Sequence, residues 1–90
     1  MEVVGRLKIL NTLGLHARAA AKIVELAGRY ESQLTLEKDG RQVDGSNILS
    51  ILTLACPKGS EMDVKIVGAD AEELMAEVNA LFEGKFGENK

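Results

Sequence analysis

The chain has 90 residues and a formal net charge of −3, with 46% hydrophobic and 28% charged residues. This composition is typical of a folded globular protein and excludes a disordered chain. An acidic chain with two Phe, one Tyr and no Trp lacks the basic surface and stacking rings that nucleic acid binding requires. Ninety residues suffice for one core, so residues 1–90 are predicted to form a single domain.

Neither cysteine usage nor hydropathy indicates export or a membrane. Cys56 is the only cysteine and has no intramolecular disulfide partner, which fits a reducing cytoplasm. No apolar run approaches the ~20 residues of a membrane-spanning helix, and no secretory leader precedes the first patterned segment. We therefore expect a cytoplasmic protein. Since Cys56 and His16 stand far apart without clustered ligands, we expect neither a metal nor a cofactor.

The first half of the sequence predicts a strand, a helix and a hairpin. Apolar and basic residues alternate over residues 3–10, as in a half-buried strand. Apolar residues then recur at helical spacing over residues 17–27, and Gly28 is a stop signal. Alternation over residues 33–37, a turn at Asp39-Gly40 and a return over residues 41–43 predict the hairpin.

The second half predicts a short helix, a strand and a longer helix. Turn and capping residues at 44–47 precede an apolar segment over residues 48–54, which is read as a helix ending before Pro57. Alternation over residues 62–66 predicts the fourth strand, and an apolar stripe over residues 71–82 predicts the last helix, capped by Asp70 and Glu73. The order β-α-β-β-α-β-α predicts an α+β two-layer sandwich with three helices on one sheet face.

The only histidine, His16, lies in Gly14-Leu15-His16-Ala17-Arg18, directly before the alanine-rich predicted helix. The first N–H groups of a helix lack intrahelical partners and carry partial positive charge, so they bind anions. A neutral imidazole is a nucleophile. A phosphoryl group on His16 would meet the Arg18 side chain and the backbone N–H groups of Ala17 and Arg18. A histidine that only caps the helix or packs in the core is the alternative.

The predicted second helix is apolar around most of its circumference. A short helix on one sheet face buries only about half of its surface, so some of its apolar side chains should stay exposed. The spacing directs Ile51 and Leu54 to the core and Ile48, Leu49 and Leu52 outward, as an apolar docking patch. Deeper burial of the whole helix is the alternative.

The histidine motif, the segment 46–54, the following Lys58-Gly59 and the element order together resemble the histidine-containing phosphocarrier protein family, HPr, of the bacterial phosphoenolpyruvate phosphotransferase system. The resemblance covers almost the whole chain. It implies an HPr-like open-faced two-layer β-sandwich with a four-stranded antiparallel sheet. Asn11 and the segments 80–82 and 86–88 look closer to the nitrogen-branch type, NPr, than to the sugar-branch type.

The resemblance also implies a phosphocarrier rather than an enzyme. It implies that His16 becomes a pros-phosphohistidine, which receives its phosphoryl group from enzyme I and passes it to an enzyme IIA domain. Enzyme I takes that group from phosphoenolpyruvate. Arg18 matches the arginine that assists the phosphate, and Ile48, Leu49 and Leu52 match the apolar contacts for both partners. We expect such a carrier to be a monomer.

Two positions depart from the family pattern. Ala19 stands where proline is usual, and because alanine restores an N–H and favours helix, the helix start should still form. The serine that a kinase phosphorylates in some members falls on Asn47, which can cap a helix but cannot accept phosphate. Ser46, one place earlier, is a displaced candidate for such regulation.

A second hypothesis is a regulatory protein-binding module that keeps the fold and the docking helix but carries little phosphate. The presence of both His16 and Arg18 argues against it. Binding that is tight and indifferent to phosphorylation would favour it.

Overall fold

The computed structural model describes residues 1–89 and has the element order expected from the sequence. The strands are β1 (Glu2–Lys8), β2 (Gln33–Lys38), β3 (Arg41–Asp44) and β4 (Glu61–Val67). The helices are α1 (Ala17–Ala27), α2 (Ile48–Leu52) and α3 (Ala71–Glu83), and a short 3-10 turn over Lys85–Gly87 follows them. The predicted β-α-β-β-α-β-α order is confirmed.

The four strands form one antiparallel sheet in the order β1-β4-β2-β3. Central β4 pairs Val64 with Gly5 of β1 and with Leu36 of β2. Because successive side chains of a strand point to opposite faces, β4 alternates strictly between buried and exposed residues. The outer face carries charges such as the Arg6–Asp63 ion pair at 3.3 Å, although Val4 and Val67 are also exposed there.

The hairpin between β2 and β3 turns at the predicted position. Asp39 and Gly40 both adopt left-handed backbone angles, with φ of 52° and 82°. Two successive left-handed residues define the tight turn whose twist matches that of the flanking strands. The predicted hairpin is confirmed, and β3 extends one residue further than expected, to Asp44.

The helices cover one face of the sheet and enclose the core with it. α1 contributes Ala19, Ala20 and Ile23, all fully buried, so the small alanines let this helix lie close to its neighbours. α3 contributes a buried stripe; its members are Ala71, Leu74, Met75, Val78 and Phe82, with Leu81 only partly buried. Among residues 1–89, no helix is both long and apolar enough to cross a membrane.

Two elements, β1 and α2, end two residues earlier than the sequence predicts. β1 ends at Lys8 rather than at residue 10, because Ile9 bonds to a loop: its N–H donates to Ser60 O at 2.8 Å and its carbonyl accepts from Gly59 N at 2.7 Å. α2 ends at Leu52 rather than at residue 54, and Ala55 beyond it is left-handed with φ of 52°. Loop hydrogen bonds set the end of β1 and a left-handed residue follows the end of α2, and hydrophobic periodicity reveals neither.

Asp70 is the N-cap residue of α3, as predicted, but the predicted side-chain capping is wrong. Asp70 makes no side-chain cap bond to α3. Its carboxylate instead accepts from Ser32 N and Glu31 N, each at 2.9 Å, and from the Ser32 hydroxyl. The hydroxyl bond first, and then the backbone bonds, hold the pKa of Asp70 below its ordinary value. Asp70 therefore ties the start of α3 to the turn after α1.

Candidate functional site

The loop between β1 and α1 is clamped against the segment that follows α2. Gly14 has φ of 72°, and a Cβ placed on it would lie 2.6 Å from Cys56 O and 3.0 Å from Pro57 Cα. The N–H of Leu15 donates to Cys56 O at 2.8 Å, and the Leu15 side chain is buried. Only glycine meets both the backbone angle and the close approach. This clamp presents the next residue, His16, at the first turn of α1.

His16 is the N-cap residue of α1. Its backbone is extended, and its Nδ1 accepts a hydrogen bond from Arg18 N at 3.2 Å. The side chain is 25% exposed, so the ring is neither in the core nor free in solvent. His16 therefore caps the helix, as one of the two alternatives predicted. Capping does not exclude nucleophilic chemistry, because the ring nitrogen that accepts the cap bond carries no proton.

Arg18 and Ala17 are exposed in the first turn of α1, where the sequence predicts a phosphate cradle. Arg18 lines an open depression with Lys22, and other lining residues are Thr12, Leu13, Gly87, Glu88 and Asn89. Two cationic side chains and the N-terminal end of α1 outweigh the single carboxylate in this depression, which favours an anion there. α1 starts normally even though Ala19 replaces the usual proline, as expected.

Glu88 and Asn11 also belong to the site, although the sequence did not predict them there. Glu88 Oε2 bonds to His16 Nε2, and Glu88 Oε1 accepts from Asn11 Nδ2 at 3.0 Å. Asn11 is fully buried and also donates from Nδ2 to Gly14 O at 2.7 Å. The bond to His16 first, then the bond from Asn11, keeps the pKa of Glu88 below its ordinary value. Glu88 is therefore ionised at neutral pH.

The chain end reaches His16 because it folds back over α1. Phe86 is buried, and its ring lies 4.9 Å from that of Phe82. Lys22 Nζ donates to the carbonyl of Phe86. Lys85 and Phe86 both adopt left-handed angles, with φ of 55° and 56°, which reverses the chain direction after α3. Phe86, which lies between Gly84 and Gly87, was the one sequence signal that the segment after α3 packs against the core.

The exposure that the spacing predicts for the apolar side chains of α2 is confirmed except at Leu52. Leu49 is 76% exposed and Ile48 is 37% exposed, whereas Ile51 and Leu54 are buried. Leu52 differs from the expectation, because it is partly buried and packs against the core. The exposed part of the patch is Ile48 and Leu49.

Asn47 caps α2, since its Oδ1 accepts from Ser50 N at 3.1 Å. Ser46 is exposed, and both its N–H and its hydroxyl donate to Asp44 Oδ1, at 2.8 and 2.7 Å. The hydroxyl bond and then the backbone bond lower the pKa of Asp44. A phosphate on Ser46 would lose this bond and face the Asp44 carboxylate, which like-charge repulsion disfavours.

Other potential chemistry on the described residues is weak. Cys56 is buried, and this burial raises the pKa of its thiol, so the reactive thiolate is disfavoured. Within residues 1–89, no group of three or more His, Cys, Asp or Glu side chains is arranged to hold a metal ion.

Comparisons with known proteins agree with this architecture. The family model described as "PTS HPr component phosphorylation site" matches residues 3–84. The phosphocarrier protein HPr of Cupriavidus necator is 43% identical over 82 residues, covering 91% of this chain and 92% of the relative. The phosphocarrier protein NPr of Escherichia coli is 34% identical over 90 residues, covering 99% and 100%. An HPr crystal structure from Thermoanaerobacter tengcongensis matches with a TM-score of 0.90 at 37% identity, covering 100% and 99%.

An open-faced sandwich that presents a capping histidine at its first helix, in a chain with these relatives, defines a phosphocarrier protein. The chain belongs to the HPr family. Because relatives named HPr and NPr both match over nearly the full chain, the assignment to the nitrogen branch stays a prediction.

Proposed function

We propose that the protein accepts a phosphoryl group on Nδ1 of His16 from enzyme I and passes it to an enzyme IIA component of the phosphotransferase system. The observation that carries this proposal is the bond from Arg18 N to His16 Nδ1. It directs the lone pair of that nitrogen toward the positive end of α1. Family membership supports the carrier role.

The geometry suits attack on phosphorus without a separate base. An Nδ1 that accepts a hydrogen bond carries no proton, so its lone pair can form the N–P bond once the bond from Arg18 N is released. The Arg18 N–H that caps the helix through Nδ1 would then donate to a phosphoryl oxygen instead. The Ala17 N–H and the exposed Arg18 guanidinium would supply further donors to the same group.

The same site must also release the phosphoryl group. His16 is 25% exposed and sits beside an open depression rather than in a closed pocket, so a second protein can reach the phosphorus. The donors come from backbone and from one exposed arginine, which stabilise the phosphate without enclosing it. This arrangement fits a carrier that holds the group between two partners.

Partner recognition is assigned to Ile48, Leu49 and Leu52 of α2. α2 packs against α1, and Cys56 in the segment after α2 bonds to Leu15, the neighbour of His16. An apolar surface linked so directly to the histidine loop suits proteins that must reach that histidine. We place this activity in the cytoplasm and assign it to a monomer that folds as one domain over residues 1–90.

The direct test is to incubate the protein with phosphoenolpyruvate and enzyme I and to measure phosphate incorporation. We expect one phosphoryl group that is labile in acid and stable in alkali, and no incorporation in His16→Ala. Addition of an enzyme IIA component should then discharge it. Incorporation that persists in His16→Ala, or none in the folded wild-type protein, would overturn the proposal.

A further inference from the structure

The segment after α2 supports the loop that carries the histidine. Leu15, the residue before His16, donates its N–H to Cys56 O at 2.8 Å. Gly14 lies so close to the same carbonyl that a Cβ on it would be 2.6 Å away. Because closely packed backbones transmit displacements, a shift of Cys56 would move the backbone that presents His16.

The turn that leads from α2 to Cys56 is strained and needs hydrogen-bond donors. Ala55 is left-handed, with φ of 52°, which the Cβ of an alanine disfavours. The last carbonyls of a helix lack intrahelical donors, and α2 has no basic residue in its own last turn. Donors from elsewhere in the fold must therefore satisfy the carbonyls of this turn.

Lys38, the last residue of β2, provides such a donor. Its Nζ donates to Ala55 O at 2.8 Å, with a longer contact to Leu54 O at 3.4 Å. The side chain is half-buried, and a hydrogen bond from an ammonium group is stronger than one between neutral groups. Burial raises the pKa of the Cys56 thiol, and the charge of Lys38 offsets part of that rise. Lys38 thus fixes the turn directly before Cys56.

We propose that Lys38 is a positioning residue for phosphoryl transfer, which fixes the turn after α2 and through it the loop that presents His16; this inference rests on the proposed function. Among residues 1–89, Lys38 has no recorded hydrogen bond to His16. It acts through Cys56 O and the backbone N–H of Leu15. It exchanges neither a proton nor an electron pair with the transferred group.

The docking residues are held independently of Lys38. Ile48 and Leu49 lie in the first turn of α2, which Asn47 caps. Loss of the Lys38 bonds beyond the other end of the helix should therefore leave partner binding nearly intact and disturb the orientation of His16. A misplaced nucleophile lowers the rate within the complex rather than the affinity.

The test compares Lys38→Met and Lys38→Arg with the wild-type chain. Methionine keeps most of the side-chain length but removes the charge and the donors, whereas arginine keeps both. Lys65→Met is the matched control, since Lys65 is exposed on the outer sheet face and loses the same charge there. The first readout is hydrogen exchange of the Leu15 amide, compared with the amides of β4. The second is the kcat and KM for phosphorylation of each variant by enzyme I with phosphoenolpyruvate.

We expect Lys38→Met to speed exchange of the Leu15 amide by on the order of tenfold, with a change of less than about twofold in β4. The kcat should fall by roughly fivefold, while KM stays within about twofold of wild type. Lys38→Arg should restore most of both losses, because a guanidinium also donates to carbonyls. Lys65→Met should match wild type in every readout.

Equal Leu15 exchange in Lys38→Met and Lys65→Met, or faster exchange with an unchanged kcat, would overturn the inference. A loss confined to KM would assign Lys38 to docking, and faster exchange throughout β4 would assign it to general stability, so either would also overturn it. Leu15 exchange requires no phosphate, which separates this inference from the proposed function. Faster Leu15 exchange in Lys38→Met, together with a wild-type chain that accepts no phosphate, would contradict the proposed function alone.

Discussion

At the scale of single residues, the site combines a helix cap and a nucleophile in one imidazole. His16 and Arg18 were identifiable from the sequence because they stand two positions apart, where a helix start follows a glycine. Asn11 and Glu88 were not identifiable as partners, because they are far apart in the sequence and only the fold brings them together. Local motifs reveal the chemistry, whereas long-range contacts determine how it is held.

Arg18 supplies the side-chain charge expected to stabilise the transferred phosphate. Arg18→Ala should therefore reduce the rate of phosphorylation by enzyme I by on the order of a hundredfold, and Arg18→Lys by less, since lysine keeps the charge but loses the paired donors. Stopped-flow or quenched labelling measures both rates. The control is Arg29→Ala, an exposed arginine near the other end of α1 that pairs with Glu25. Equal rates for Arg18→Ala and the control would contradict the assignment.

At the scale of elements, α2 shows how a very short helix exposes apolar residues. It spans five residues and is capped by Asn47, and its only fully buried member is Ile51. The spacing predicted the exposed positions Ile48 and Leu49 correctly. It misplaced Leu52, whose side chain is partly buried and packs against the core.

Leu49 provides the sharpest test of the docking patch. Leu49→Asp should weaken binding to enzyme I by about tenfold or more, because an exposed apolar contact becomes a charge in a desolvated interface. Its free energy of unfolding should change by no more than about 0.5 kcal/mol, since the side chain is 76% exposed. Val4→Asp, at a 68% exposed valine on the outer sheet face, is the matched control. Calorimetric titration that finds equal affinities for the two variants would contradict the assignment.

Asp70 makes the connection between α3 and the turn after α1 dependent on pH. Its pKa is lowered in the folded protein, so its contribution to stability is present above the ordinary pKa of an aspartate and is lost as the pH falls through the lowered value. Asp70→Ala should therefore lower Tm at neutral pH. The difference from wild type should shrink in acid. A Tm difference that is independent of pH would show that Asp70 acts through packing instead.

At the scale of the whole molecule, hydrophobic periodicity was enough to predict the element order and the two-layer fold. Strands alternate and helices repeat every three to four residues, and each pattern requires a buried face, so the layer arrangement follows from the sequence. Element ends and the Asp70 contacts did not follow, because loop hydrogen bonds decide them. The folded-back chain end was also not predicted, although it joins the last helix to the histidine loop.

Phe86 anchors this chain end and should carry much of its stability. Phe86→Ala removes a ring that is 1% exposed and packs on Phe82, so the free energy of unfolding should fall by about 3 kcal/mol. Urea denaturation measures the change. Leu13→Ala, at a 68% exposed leucine, should change it by less than about 0.5 kcal/mol. A Phe86→Ala variant as stable as this control would show that the chain end does not pack on α3 in solution.

We propose that Nδ1 of His16 carries the phosphoryl group. The most direct measurement is ³¹P NMR of the protein after incubation with phosphoenolpyruvate and enzyme I, with ¹⁵N correlation to the imidazole ring. We expect one phosphohistidine resonance bonded to Nδ1 that is absent from His16→Ala. A phosphoryl group on Nε2 or on Ser46, or no resonance from the folded protein, would contradict it.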